Sequence, residues 1–148
     1  MLTFEDFQPG RVFKSDWHTV TEEEIISFAR EFDPQQFHTG VAERTRSLYP
    51  SVIASGWHSG SLCQRLMVAS FLSKSACLGS PGLDYLRWPA PLAPDDEVRA
   101  ICQVMEARVS KTRPGMGIVK FEVTLATRQG KVVLQMAPNV FISRAAAL

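Results

Sequence analysis

Apolar and polar positions change their period about halfway along the chain. In the first half Ile25, Phe28, Ala29 and Phe32 recur at i, i+3, i+4 and i+7, the apolar stripe of an amphipathic helix. Thr21 followed by Glu24 predicts its start, because each side chain can bond the other's backbone N–H as a capping box. Pro34 disfavours the helical conformation at Asp33, so the helix is expected to stop at about Phe32, leaving Asp33 through His38 as loop. A short helix around Ala42 to Ser47 and a turn at Tyr49-Pro50 are expected next. From Gly56 to Ser73 turn signals are few, and Leu62 to Leu72 is apolar on nearly every face except Gln64 and Arg65. This predicts a helix about 25 Å long that is buried on all sides.

The second half follows a period of two. Val98, Ala100, Cys102 and Val104 alternate with polar neighbours, and Val119, Phe121, Val123 and Leu125 do so again. Arg128-Gln129-Gly130-Lys131 turns that strand into one carrying Val132, Leu134 and Met136. Leu83 to Pro89 and the stretch from Arg11 to Val20 supply further strands, and Gly79-Ser80-Pro81-Gly82 is expected to be the loop dividing helix from sheet. The predicted fold is therefore α+β, one domain over residues 1–148, with a twisted antiparallel sheet wrapped around a long central helix as in a hot dog.

Composition narrows the function classes. Lys and Arg total 16 against 15 Asp and Glu, with no charged block, which argues against a nucleic-acid surface. No apolar run reaches the ~18 residues of a membrane span, and two acidic residues in Met1 to Phe7 argue against a secretory signal, so a soluble, cytoplasmic protein is expected. Cys63, Cys77 and Cys102 form no CxxC pair, which leaves a thiolate metal site without support and predicts three reduced core cysteines.

Two segments carry candidate chemistry. Asp33 and His38 flank a proline bend, and a bent loop can bring a carboxylate and an imidazole together for proton transfer; the alternative is a turn-capping Asp and a structural His. Gly56 heads the long helix, where a backbone N–H and the helix dipole favour developing negative charge; the alternative is a permissive entry residue. His58 reads as a first-turn side chain packed beside Trp57.

Together, the run from Phe28 to His38 and the run from Val52 to His58 resemble the MaoC-like dehydratase family, the (R)-specific enoyl-CoA hydratases of hot-dog fold. Gly82 to Pro89, Pro94 to Val98 and Arg113 to Val119 resemble strand openings of that family, so the likeness covers nearly the whole chain. The chain departs from the family pattern where Pro34 directly follows Asp33, where Gln35 and Gln36 replace Asn and Pro, and at Gly40 and Ser55.

The resemblance implies an enzyme that adds water reversibly to a trans-2-enoyl thioester, giving the (R)-3-hydroxyacyl thioester. Asp33 and His38 would hold and activate the water, and the Gly56 N–H would bond the thioester oxygen. It implies no metal and no redox cofactor, coenzyme A entering only as part of the substrate. The partners implied are an acyl-CoA or acyl-carrier-protein thioester and a second copy of the chain, as a homodimer or higher homo-oligomer with the active site at the subunit interface. Arg87, Lys111 and Arg113 are the candidates for coenzyme A phosphates. Two other functions fit a hot dog, a thioesterase and a non-catalytic acyl-thioester binder. The first needs a carboxylate on the long helix, and Gly56 to Ser73 has none.

Overall fold

The structure, a computed structural model, describes residues 1–40 and 48–147; the short helix expected over Ala42 to Ser47 lies outside the described residues. Strands β1 (Val12–Lys14) and β2 (His18–Thr19) precede helices α1 (Glu22–Phe32), α2 (Gln36–Thr39) and α3 (Gly56–Ser70). Strands β3 (Cys77–Arg87), β4 (Glu97–Val109), β5 (Met116–Thr127) and β6 (Val132–Ser143) follow. The sheet runs β1-β4-β5-β6-β3, antiparallel throughout, with β2 also paired to β4. Its buried face packs on α3, the hot-dog arrangement expected from the sequence. Among the described residues no helix is long and apolar enough to cross a membrane.

The capping box forms as expected: Thr21 Oγ1 accepts from the Glu24 N–H at 3.1 Å and Glu24 Oε2 accepts from the Thr21 N–H at 2.8 Å. Alternation also places the sheet residues correctly, since Val98, Ala100, Cys102 and Val104 on β4 and Val119, Phe121, Val123 and Leu125 on β5 are all buried.

Four expectations change. Gly79-Ser80-Pro81-Gly82 is not a loop but part of β3, which stays attached to β6 through several register shifts with Gly79 and Gly82 at positive φ. An edge strand tolerates Pro and bulges because only one of its sides needs a ladder. In β6 an irregularity opposite Leu125 and Ala126 leaves Val133 and Leu134 both buried, so strict alternation from Val132 fails there. Helix α3 buries one face, through Leu62, Cys63, Leu66 and Met67, while Trp57 and Val68 face outward, because the sheet covers only one side of it. Cys63 and Cys102 are buried, and burial pushes both thiols up, Cys102 to about 12; Cys77, on the edge strand, is exposed.

The core has an aromatic centre at the end of α3. Phe13 stacks on Phe71 with ring centroids 4.3 Å apart, and Phe121 meets Phe7 edge-on at 6.0 Å and Phe71 at 5.5 Å. Phe121 is wholly buried at the middle of β5. Phe121→Ala is therefore expected to lower stability by about 3–5 kcal/mol, measured by urea unfolding, whereas an exposed change such as Gln129→Ala shifts it by no more than about 0.5 kcal/mol.

Candidate active site

Helix α1 ends at Asp33, whose N–H still donates to the Ala29 carbonyl at 2.9 Å while its φ of −153° leaves the helical region. Pro34 enforces that exit. Only Asp33 to Gln35 is loop; Gln36–Thr39 form the single turn α2, closed by Gly40 at a φ of 71° where glycine carries no Cβ penalty. The expectation of loop through His38 is thus corrected, four residues being too few for a helical period to register.

This turn folds His38 back on Asp33, so that His38 Nε2 lies 3.4 Å from Asp33 Oδ2. An extended chain would hold the two residues roughly 16 Å apart. His38 is buried, and its Nδ1 donates to the Ile53 carbonyl at 2.7 Å. A carbonyl only accepts, so the ring proton sits on Nδ1, and in the neutral imidazole Nε2 presents a lone pair beside Asp33.

Two donors hold the carboxylate. Ser55 Oγ donates to Asp33 Oδ2 at 2.6 Å, and Gln35 Nε2 donates to Asp33 Oδ1 at 2.8 Å. The Ser55 hydroxyl first, and then the Gln35 amide, hold the Asp33 carboxyl below the usual carboxylate range. Ser55, with no exposed surface, is also the N-cap of α3, accepting from the Trp57 N–H at 3.3 Å.

Gly56 is the first residue of α3, and among the described residues nothing accepts from its N–H. Its Cα is covered by the Trp88 indole, so closely that a Cβ there would lie 2.5 Å from Trp88 Cε2. Trp88 Nε1 donates to the Gly56 carbonyl at 2.9 Å. The glycine is required by that approach and not by its backbone angles.

Asp33, His38 and Gly56 line one cavity of about 410 Å³, with Ile53, Ala54 and Leu92 at its buried end and Trp57, Trp88 and Pro89 on its open side. Two acceptors and one donor thus face a common space with apolar walls, an arrangement suited to a water and a polarised carbonyl. Three residues of this site went unrecognised in the sequence: Ser55 and Gln35 as donors to Asp33, and Trp88 as the wall on Gly56. The departures from the family pattern at Gln35 and Ser55 were the available signal.

The other predicted residues fall elsewhere. His58 stacks on Phe28 with ring centroids 4.8 Å apart between α1 and α3, and burial pushes its pKa down, in keeping with a structural role against Phe28 rather than Trp57. Arg87 closes β3 beside the cavity mouth, its guanidinium 4.9 Å over the Tyr85 ring. Lys111 and Arg113 are exposed in the β4–β5 turn at the other end of the sheet. Arg87 pairs with Gln135 and Met116 with Ser143, so within one chain Arg87 lies about 26 Å from that turn at ~3.3 Å per residue and does not join the two.

Comparisons with known proteins give the family to which this fold belongs. The family model for the MaoC like domain matches residues 6–132. The crystal structure of the MaoC-like dehydratase from Rhodospirillum rubrum is 36% identical and superposes with a TM-score of 0.89 over 97% of this chain and 98% of that one. A 3-hydroxyacyl-thioester dehydratase Z of Mycobacterium tuberculosis is 33% identical over 92 residues, and the match spans 61% of each protein. An (R)-hydratase from Pseudomonas aeruginosa, 19% identical with a TM-score of 0.77 over 97% of this chain and 86% of that one, shares the fold. With the family model matched from the first turn of chain to the last hairpin, the protein belongs to the MaoC-like domain family.

Proposed function

We propose that the protein is an enoyl-thioester hydratase, adding water reversibly to a trans-2-enoyl-CoA or the corresponding acyl-carrier-protein thioester to give the (R)-3-hydroxyacyl thioester. The observation that carries this reading is the convergence of Asp33 Oδ2 and His38 Nε2, 3.4 Å apart, on a cavity that also holds the N-terminus of α3 at Gly56. An ionised carboxylate and an imidazole lone pair are both acceptors, so a water between them donates both protons and turns its oxygen lone pair toward the cavity. That oxygen bonds to the β-carbon, the pair takes up the proton released, and a proton from the pair reaches the α-carbon. Conjugate addition places negative charge on the thioester oxygen as the β-carbon is attacked. A fixed Gly56 N–H at a helix N-terminus stabilises that charge by about 3 kcal/mol in a site shielded from water. Addition of water changes no overall oxidation state, so the reading calls for no redox cofactor; with Asp33 and His38 activating the water and Gly56 polarising the carbonyl it assigns no role to a metal, and coenzyme A enters as part of the substrate.

The reading includes a homodimer. Strand β3 is an edge, exposed along most of its length with Leu78 and Leu83 outward, and an open edge of that length is a template for a second strand.

Asp33→Asn and His38→Ala are each expected to lower hydration of a trans-2-enoyl-CoA panel by about a hundredfold or more, with the fold retained. Loss of enoyl-thioester absorbance and chiral analysis of the product check this; near-full turnover in either variant overturns the mechanism. Because hydrogen bonds to its charged form depress the Asp33 pKa, that carboxylate stabilises the fold at neutral pH, and the contribution disappears as pH falls through the depressed value. Ser55→Ala removes the leading donor, so the Asp33 pKa should rise toward the ordinary carboxylate value, measured by carbon-13 NMR titration of its carboxyl group. Sedimentation equilibrium should give at least twice the 16.5 kDa chain mass, falling toward one chain in Leu78→Lys combined with Leu83→Lys.

A further inference from the structure

We infer that Trp88 holds the carrier side of a bound thioester, the sulfur and first methylenes of the pantetheine arm lying on its indole where the arm leaves the cavity. The inference rests on the acyl-thioester reading above and names the part of the substrate that Trp88 contacts.

The cavity itself sets the direction of the substrate. At about 410 Å³ it can take the acyl thioester head but not the carrier, so the arm must leave by the open side. Exposure distinguishes the two ends: Leu92 and Ala54 are 1% and 6% exposed, Trp88 and Trp57 43% and 61%. An apolar acyl tail belongs at the buried end, and a polar arm that must reach solvent belongs between the tryptophans.

Geometry at Gly56 places the sulfur beside Trp88. With the carbonyl oxygen accepting from the Gly56 N–H and the α- and β-carbons turned to Asp33 and His38, the remaining bond of the carbonyl carbon, to sulfur, points away from that pair. The sulfur then lies roughly 5 Å from the Gly56 nitrogen, counting a hydrogen bond of ~2.9 Å and the width of the thioester group. The Trp88 indole already rests on the Gly56 Cα. Sulfur packs favourably about 5 Å from an aromatic ring, and methylenes and an amide plane do so on its face.

The indole is also built to stay in place. Its N–H is bonded to the Gly56 carbonyl, and the Trp57 ring meets it edge-on at 5.5 Å. Pro89 and Pro91 restrict the backbone that follows, and the Leu92 carbonyl accepts from the Ala54 N–H at 2.8 Å, tying that segment to the cavity wall. A contact surface fixed before binding loses little entropy when the arm arrives.

Trp88→Ala and Trp88→Phe test this, with thermal unfolding run on each to check the fold. For Trp88→Ala, KM should rise about tenfold for short, medium and long enoyl-CoAs alike, kcat should fall by no more than about threefold, and Trp88→Phe should recover most of the loss. An unchanged KM, or a loss that grows or shrinks with acyl length, would overturn the assignment. Butyryl-CoA, which has no double bond to hydrate, separates this proposal from the catalytic reading. Its titration should quench tryptophan fluorescence in wild type, and Trp88→Phe should remove most of that quench while calorimetry still shows binding, the remainder belonging to Trp57 on the other side of the arm. Quenching at Trp88 in a protein that hydrates no enoyl thioester leaves the arm contact standing and removes the hydratase. Binding of butyryl-CoA that never quenches Trp88 removes the arm contact alone, and no binding of butyryl-CoA or its acyl-carrier-protein counterpart removes both.

Discussion

Residues 52–55 run through the interior without belonging to a helix or a strand, and buried backbone groups must find partners somewhere. The partners they find assemble the site. The Ile53 N–H donates to the Phe37 carbonyl, and the Ile53 carbonyl accepts from His38 Nδ1, which docks the turn bearing His38. The Ala54 N–H donates to the Leu92 carbonyl, which docks the far wall of the cavity. Ser55 then spends its hydroxyl on Asp33 and its carbonyl on the Ser59 N–H, starting α3. One irregular segment thereby gathers residues from α1, α2, α3 and the chain beyond β3 around a single space.

The same bonds set the chemistry. In the neutral imidazole the proton held on His38 Nδ1 leaves Nε2 as an acceptor, and donors to both Asp33 oxygens favour the ionised carboxylate. An acceptor pair rather than a donor–acceptor pair is what a water nucleophile needs, because a water that gives both protons away has its lone pairs free. Gly56, lining the same cavity, supplies the opposite polarity as the first N–H of a helix. Burial keeps His38 and Ser55 from being solvated independently, and the aromatic centre around Phe121 carries the stability while lining none of the cavity.

How much of this was legible in the sequence depended on the range of the interaction. Capping at Thr21 and Glu24, the stop before Pro34 and the alternation of β4 and β5 are local, and all appear as expected. Asp33, His38 and Gly56 stood out because their residue types and spacing matched a family, and the structure brings them to one cavity. Ser55 was visible only as a departure from a pattern, since its bond to Asp33 spans 22 positions, and the Trp88 contact with Gly56 spans 32. The Gly79 to Gly82 stretch was misjudged for a related reason: turn-forming residues in an edge strand are held by the neighbouring strand, and the local sequence carries no mark of that neighbour. Helix α3 seemed to want burial all round because Leu62 to Leu72 is apolar on nearly every face; in the structure Val68 faces outward, and Trp57 packs against Trp88 at the cavity mouth.

Strand β3 connects the proposed assembly with the site. It ends at Arg87, and the next residue is the indole that covers Gly56, so the exposed edge and the cavity mouth are successive parts of one stretch of backbone. Its bulges leave the edge loosely specified in register between Cys77 and Leu86, while its pairs Leu86 with Met136 and Arg87 with Gln135 fix the end that leads to Trp88. A second chain pairing on β3 would order the irregular part and leave the fixed part as it is. On that arrangement, association would tighten the strand without displacing the indole, and Gly56, the proposed oxyanion donor, would keep its wall whether the chain is single or paired.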